Sequence, residues 1–78
     1  MTGYRELVSL TPQQREELRR WAQSRTLPAG DVFRARLILA LAAGKTYAAI
    51  KQSLHTTAPT ISRWKQRFEE FGIDGLEP

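Results

Sequence analysis

Residues 46–71 restrict what this chain can fold into more than any other stretch. They read TYAAIKQSLHTTAPTISRWKQRFEEF: a short helical pattern, a few turn residues, then a longer helical pattern. In the first pattern Tyr47, Ile50 and Leu54 recur at i, i+3 and i+7, which makes one apolar stripe. Thr46 and Thr57 stand where each helix needs an N-cap, a hydroxyl that accepts an orphan N–H of the first turn. The second pattern puts Ile61, Trp64, Phe68 and Phe71 on one face, expected to pack inward. At about 100° per residue, Pro59, Ser62, Arg63 and Gln66 fall opposite that face, with Arg67 on its flank. The outward surface is polar, short-chained and positively charged.

The rest of the chain supplies a scaffold for this pair. Residues 1–10 read as a flexible N-terminal arm, in which Arg5 is the one candidate for a groove contact. Thr11 then caps a first helix, with Pro12 at its first position and Gln14 completing a T-x-x-Q capping box. Leu18, Trp21 and Ala22 should face the core, with the stem of Arg25 covering its edge. Pro28 marks a break, and a second helix is expected from about residue 29 or 31 to residue 43, ended by Gly44. Phe33, Leu37, Ile38, Ala40 and Leu41 make it apolar on more than half its circumference, so it should be the central helix. Arg34 and Arg36 flank that stripe and read as solubilising or phosphate-contacting cations. Nothing alternates with period two, so no strand is expected. The turn-rich end, GIDGLEP over residues 72–78, reads as a linker-like tail. The domain itself should span residues 11–71, an all-α fold of four helices.

Composition narrows the function classes. With 78 residues there is room for one small domain. With no Cys and one His, disulfides and a zinc module drop out, and the absence of Cys fits a cytosolic setting. No apolar run approaches the ~20 residues of a membrane span, and the start, MTGYRELVS, carries no hydrophobic signal segment. A formal charge of +4 and a pI near 10.1 favour an anionic partner.

Helix pairs joined by short turns are common, so the spacing has to be tested. In the helix-turn-helix frame counted from Tyr47, the core positions fall on Ile50, Leu54, Ile61 and Trp64, all apolar. The turn falls on His55, Thr56 and Thr57. That frame usually has Gly where His55 stands, because the backbone there enters the left-handed region. His55 is therefore expected at positive φ, under strain. Lys51 stands where Ala is usual, with its stem directed outward.

Three segments, LTPQQREELRRWAQSRTLPA, RARLILALAAGKT and TISRWKQRFEEFGIDGL, extend the likeness over nearly the whole chain. They resemble the N-terminal DNA-binding region of insertion-sequence transposases related to the mariner superfamily. The most specific part is Pro59, Thr60, Ile61 and Trp64, followed by Arg67, Phe68 and Gly72. The resemblance implies a bacterial, homeodomain-like helix-turn-helix that binds the terminal inverted repeats of a mobile element during transposition and DNA recombination. It also implies a catalytic domain with three acidic residues beyond residue 78, and a cytoplasmic, nucleoid-associated setting. Thr57, Ala58, Pro59, Thr60, Ser62, Arg63, Gln66 and Arg67 match the recognition-helix segment.

From these readings the expected partner is double-stranded DNA, with homodimerisation through the parent protein left open. Arg63 is the expected base contact, bidentate to guanine, and Gln66 suits adenine. Lys45, Lys51 and Arg67 are expected on phosphates, which position without specifying. No catalytic, metal-binding or cofactor-binding set is expected: Asp31, Glu69, Glu70 and Asp74 show no convergent spacing, and His55 has no local partner. No small-molecule substrate or membrane is expected either. Two alternatives stand beside the transposase reading. One is a stand-alone transcriptional regulator. The other is a helical protein-docking module, which would expose apolar anchors where residues 59–67 are polar.

Overall fold

The computed structural model describes residues 8–77, and among them every regular element is helical. The order is α1 Pro12–Ala22, α2 Ala29–Ala42, α3 Tyr47–Leu54, α4 Ala58–Phe71 and a 3-10 helix, Gly72–Leu76. This is the expected all-α, four-helix, homeodomain-like architecture with α3 and α4 as its helix-turn-helix pair.

The capping chemistry of α1 forms as its sequence requires. The Gln14 N–H donates to Thr11 Oγ1 at 3.0 Å, and the Thr11 N–H donates to Gln14 Oε1 at 3.1 Å. The far end of α1 is shorter than its periodicity suggests. Ser24 Oγ accepts the N–H groups of Thr26 and Leu27 at 3.1 and 3.0 Å, so the chain turns at Ser24, ahead of Pro28. Arg25 therefore lies beyond the helix and is exposed; it does not cover the core edge.

Helix α2 is central, as its all-round apolarity demands, and packs against α1, α3, α4 and the 3-10 helix. Ala35, Leu37, Ile38 and Leu41 are buried, while Phe33 and Ala40 are half-buried at the rim. A Schellman closure ends it: Gly44, at φ 86°, donates to Leu41 O, and Lys45 donates to Ala40 O, both at 3.1 Å. Leu18, Ile50, Ile61, Phe68 and Leu76 complete the core around α2.

Both chain ends depart from expectation. Of the arm expected over residues 1–10, the first seven, with Arg5, lie outside the described residues. Val8, however, is buried in the core and Leu10 packs against it. At the other end, the expected linker-like tail is a docked element. Leu76 is fully buried, Gly75 is buried and Ile73 packs against the core. Two arginines hold it from different helices: Arg34 Nε donates to Leu76 O and Arg67 Nε donates to Gly75 O, each at 2.8 Å. Ordering five residues costs roughly 5–10 kcal/mol of backbone entropy. Burying Leu76 returns only about 1.5–3 kcal/mol. The two guanidinium bonds, at about 1.5–3 kcal/mol each, close the difference.

The same clasp corrects the roles of Arg34 and Phe71. Arg34 neither solubilises nor faces phosphate. Its side chain is 14% exposed, its Nη2 bonds Asp31 Oδ1 at 2.7 Å, and its guanidinium carbon lies 4.6 Å from the centroid of the Trp64 ring. Phe71, expected inward, is 57% exposed. At 3.6 residues per turn it is rotated about 80° from Ile61, and this drift takes it off the core face. Ile73 and Leu76 reach the core instead.

Candidate nucleic-acid interface

The turn between α3 and α4 sets the angle at which α4 is presented. His55 adopts φ 54°, ψ 52°, the left-handed conformation its place in the frame requires. Thr56 N–H then returns to Lys51 O at 3.1 Å, satisfying a carbonyl at the end of α3. A β-extended Thr57 follows and caps α4: its Oγ1 accepts the Thr60 N–H at 3.4 Å and its hydroxyl donates to Thr60 Oγ1 at 3.0 Å. Thr46 does the same for α3, accepting the Ala49 N–H at 3.1 Å. Neither first turn carries an acidic residue, so the positive poles of both helices are left uncompensated.

The inward face of α4 is anchored by Ile61 and Phe68, both buried, with Trp64 half-buried between them. The opposite face is open. Pro59, Ser62, Arg63 and Gln66 are exposed, as are Thr57, Lys45 and Lys51, while Ala58 and Thr60 are half-buried. Five cations lie between residues 45 and 71: Lys45, Lys51, Arg63, Lys65 and Arg67. Lys65 is paired with Glu69 at 3.0 Å. Arg67 is exposed, but its Nε is committed to Gly75 O, and its guanidinium carbon lies 5.7 Å from the Trp64 ring centroid and 5.9 Å from that of Phe71. Among the described residues, Lys45, Lys51 and Arg63 make no ion pair and no side-chain hydrogen bond. The three cations left without a protein partner are thus sequence-selected ones. Arg67, selected with them, already has a structural task.

One residue at this face was not selected from the sequence. The Tyr47 hydroxyl lies 3.2 Å from that of Ser62, at an exposed position across the α3–α4 junction. The apolar stripe of α3 pointed to Tyr47 as core, and its ring is indeed half-buried there. Its place at the start of α3, facing the second turn of α4, was the available signal for the polar end.

A family model described as a helix-turn-helix domain matches residues 33–78, more than half of the chain. The chain belongs to this helix-turn-helix domain family. A search of curated proteins and a search of solved structures each returned no match. The matched region of the helix-turn-helix domain starts within α2 and includes α3, α4 and the 3-10 helix, so the docked tail belongs to the family's unit, whereas α1 precedes it. DNA is the partner class that this fold serves. Among the described residues there is no cluster of three or more metal-ligating side chains, and no helix is long and apolar enough to cross a membrane.

Proposed function

We propose that this helix-turn-helix domain binds double-stranded DNA sequence-specifically by seating the N-terminal half of α4 in the major groove, and that it serves as the terminal-repeat-binding part of an insertion-sequence transposase. The observation that carries the DNA reading is the pattern of unpaired charge. Lys45, Lys51 and Arg63 are exposed and free of protein partners, while the nearby acid Glu69 is occupied by Lys65. Arg63 lies on the outward face of α4, opposite Ile61, and is assigned to a base edge, bidentate to guanine O6 and N7. Gln66, one turn further on, suits adenine, and Thr57, Ala58, Pro59, Thr60 and Ser62 line the approach. Lys45 and Lys51 are assigned to phosphates, and the positive pole of α4, with no acidic residue in its first turn, adds to the attraction. The domain is read as non-catalytic and without a cofactor; chemistry on DNA would fall to a further domain of the parent protein.

The transposase reading rests on the Pro59–Trp64 and Arg67–Gly72 sequence likeness. Its test is fluorescence anisotropy with duplexes carrying the two ends of the DNA element that encodes the chain. The end duplexes should bind at least about a thousandfold more tightly than a scrambled duplex at physiological salt. Equal binding to ends and scramble, with tight binding to a site upstream of a gene, would replace the transposase reading with that of a regulator.

A further inference from the structure

The contact between Tyr47 and Ser62 joins the two helices of the motif at the face assigned to DNA. Each hydroxyl has one hydrogen and two acceptor positions. In a bonded pair one hydrogen is used and the other stays free. The phenol is the stronger donor and the poorer acceptor, because its oxygen lone pair is drawn into the ring. The favoured polarity therefore runs from Tyr47 Oη–H to Ser62 Oγ, across the observed 3.2 Å. The Ser62 hydrogen then remains for a third group, and accepting from Tyr47 strengthens Ser62 as a donor. Among the described residues Ser62 has no other side-chain partner to compete for that hydrogen.

We infer that Tyr47 is a positioning residue for DNA recognition, holding Ser62 Oγ in place and leaving its hydrogen turned outward, so that Ser62 meets DNA chiefly as a donor. The inference rests on the DNA-binding reading above. It specifies the chemistry of the atom Ser62 meets: an acceptor, either a phosphate oxygen or a base-edge acceptor such as guanine N7 or O6, adenine N7 or thymine O4. Exocyclic amino groups of adenine and cytosine are the poorer partners, since Tyr47 already takes one of the two acceptor positions of Ser62 while its hydrogen stays free. The half-buried ring fixes where the phenol oxygen sits, so the hydroxyl alone can be removed without disturbing the packing.

The experiment compares the wild-type domain with Tyr47→Phe, Ser62→Ala and the double variant. The probes are a duplex selected from a randomised pool by the wild-type domain and a scrambled duplex of the same composition. Each single variant should weaken binding to the selected duplex about three- to tenfold, the worth of one hydrogen bond. The double variant should lose no more than the weaker-binding single variant, because the two hydroxyls act as one unit. Melting curves should coincide, since the lost bond is exposed. A loss shared by both duplexes assigns the acceptor to phosphate; a relaxed preference at one base pair assigns it to a base edge, and both agree with the inference. Losses that add in the double variant would overturn it, as each hydroxyl would then be touching DNA by itself. Wild-type affinity in Tyr47→Phe would overturn it too, whatever Ser62→Ala does. Failure of the wild-type domain to bind any duplex would remove the DNA reading and this inference together; a binding wild type with unaffected variants would remove the inference alone.

Discussion

Gly75→Ala should lower the stability of the domain by about 2–4 kcal/mol, the combined cost of overpacking and of losing buried apolar surface. The cause is space, not backbone conformation. A Cβ at Gly75 would stand 2.4 Å from the carbonyl oxygen of Arg67, 2.9 Å from its carbonyl carbon and 3.1 Å from the Cβ of Phe71. The first two of these atoms are α4 backbone, so no side-chain rotation relieves the clash. The tail must therefore move away from α4. In doing so it withdraws Leu76 from the core and breaks the bonds from Arg67 to Gly75 O and from Arg34 to Leu76 O. For a domain of this size the loss corresponds to a fall in melting temperature of more than about 10 °C. Thermal and urea unfolding followed by circular dichroism measure it. A variant that melts with the wild type would mean that the tail is not packed against α4.

Arg63→Ala should have the largest effect on recognition while leaving the fold alone. Arg63 is exposed, lies opposite Ile61 on α4 and makes no bond to the protein, so truncation removes nothing the folded state uses. Loss of a bidentate contact to guanine should cost about 1–3 kcal/mol on the preferred site and relax the preference at one base pair. Lys51→Ala provides the contrast. Lys51 sits in the last turn of α3 and is exposed without a partner, so its assigned contact is phosphate. Its loss should weaken selected and scrambled duplexes alike and flatten the log-log salt slope by about one. Equal weakening of both duplexes by Arg63→Ala would make Arg63 a phosphate contact and move the burden of specificity elsewhere on α4.

The parts of this fold that could be read in the sequence are those set by local chemistry. The Thr11–Gln14 capping box, the Thr46 and Thr57 caps, the Gly44 closure and the left-handed His55 each depend on residues within one turn of each other, so spacing alone identifies them. The tail could not be read this way. GIDGL has the same composition whether it is solvated or docked, and what docks it is Arg34, 42 residues away in sequence, and Arg67, eight residues away. Phe71 leaves the stripe of Ile61, Trp64 and Phe68 because the helix drifts off the core face one turn later, where Ile73 and Leu76 reach the core instead. At the interface, helical phase correctly put Pro59, Ser62, Arg63 and Gln66 on the exposed face. Phase does not report what a cation already holds, so Arg67 looked as free as Arg63. Nor does it separate the two ends of an amphipathic side chain, which is why the Tyr47 hydroxyl went unseen behind its ring.

The central claim, that α4 and its neighbours form an electrostatic and base-reading surface for duplex DNA, is tested most directly by titrating a labelled duplex with the domain across a series of salt concentrations. With Lys45 and Lys51 free for phosphate, the N-terminus of α4 beside them and Arg67 largely committed to the tail, about two to four phosphates should be engaged, giving a log-log slope of about −2 to −3.5. Anisotropy that rises at low salt and follows that slope agrees with the account. An absence of duplex binding even at the lowest salt, with the domain folded by circular dichroism, would contradict it.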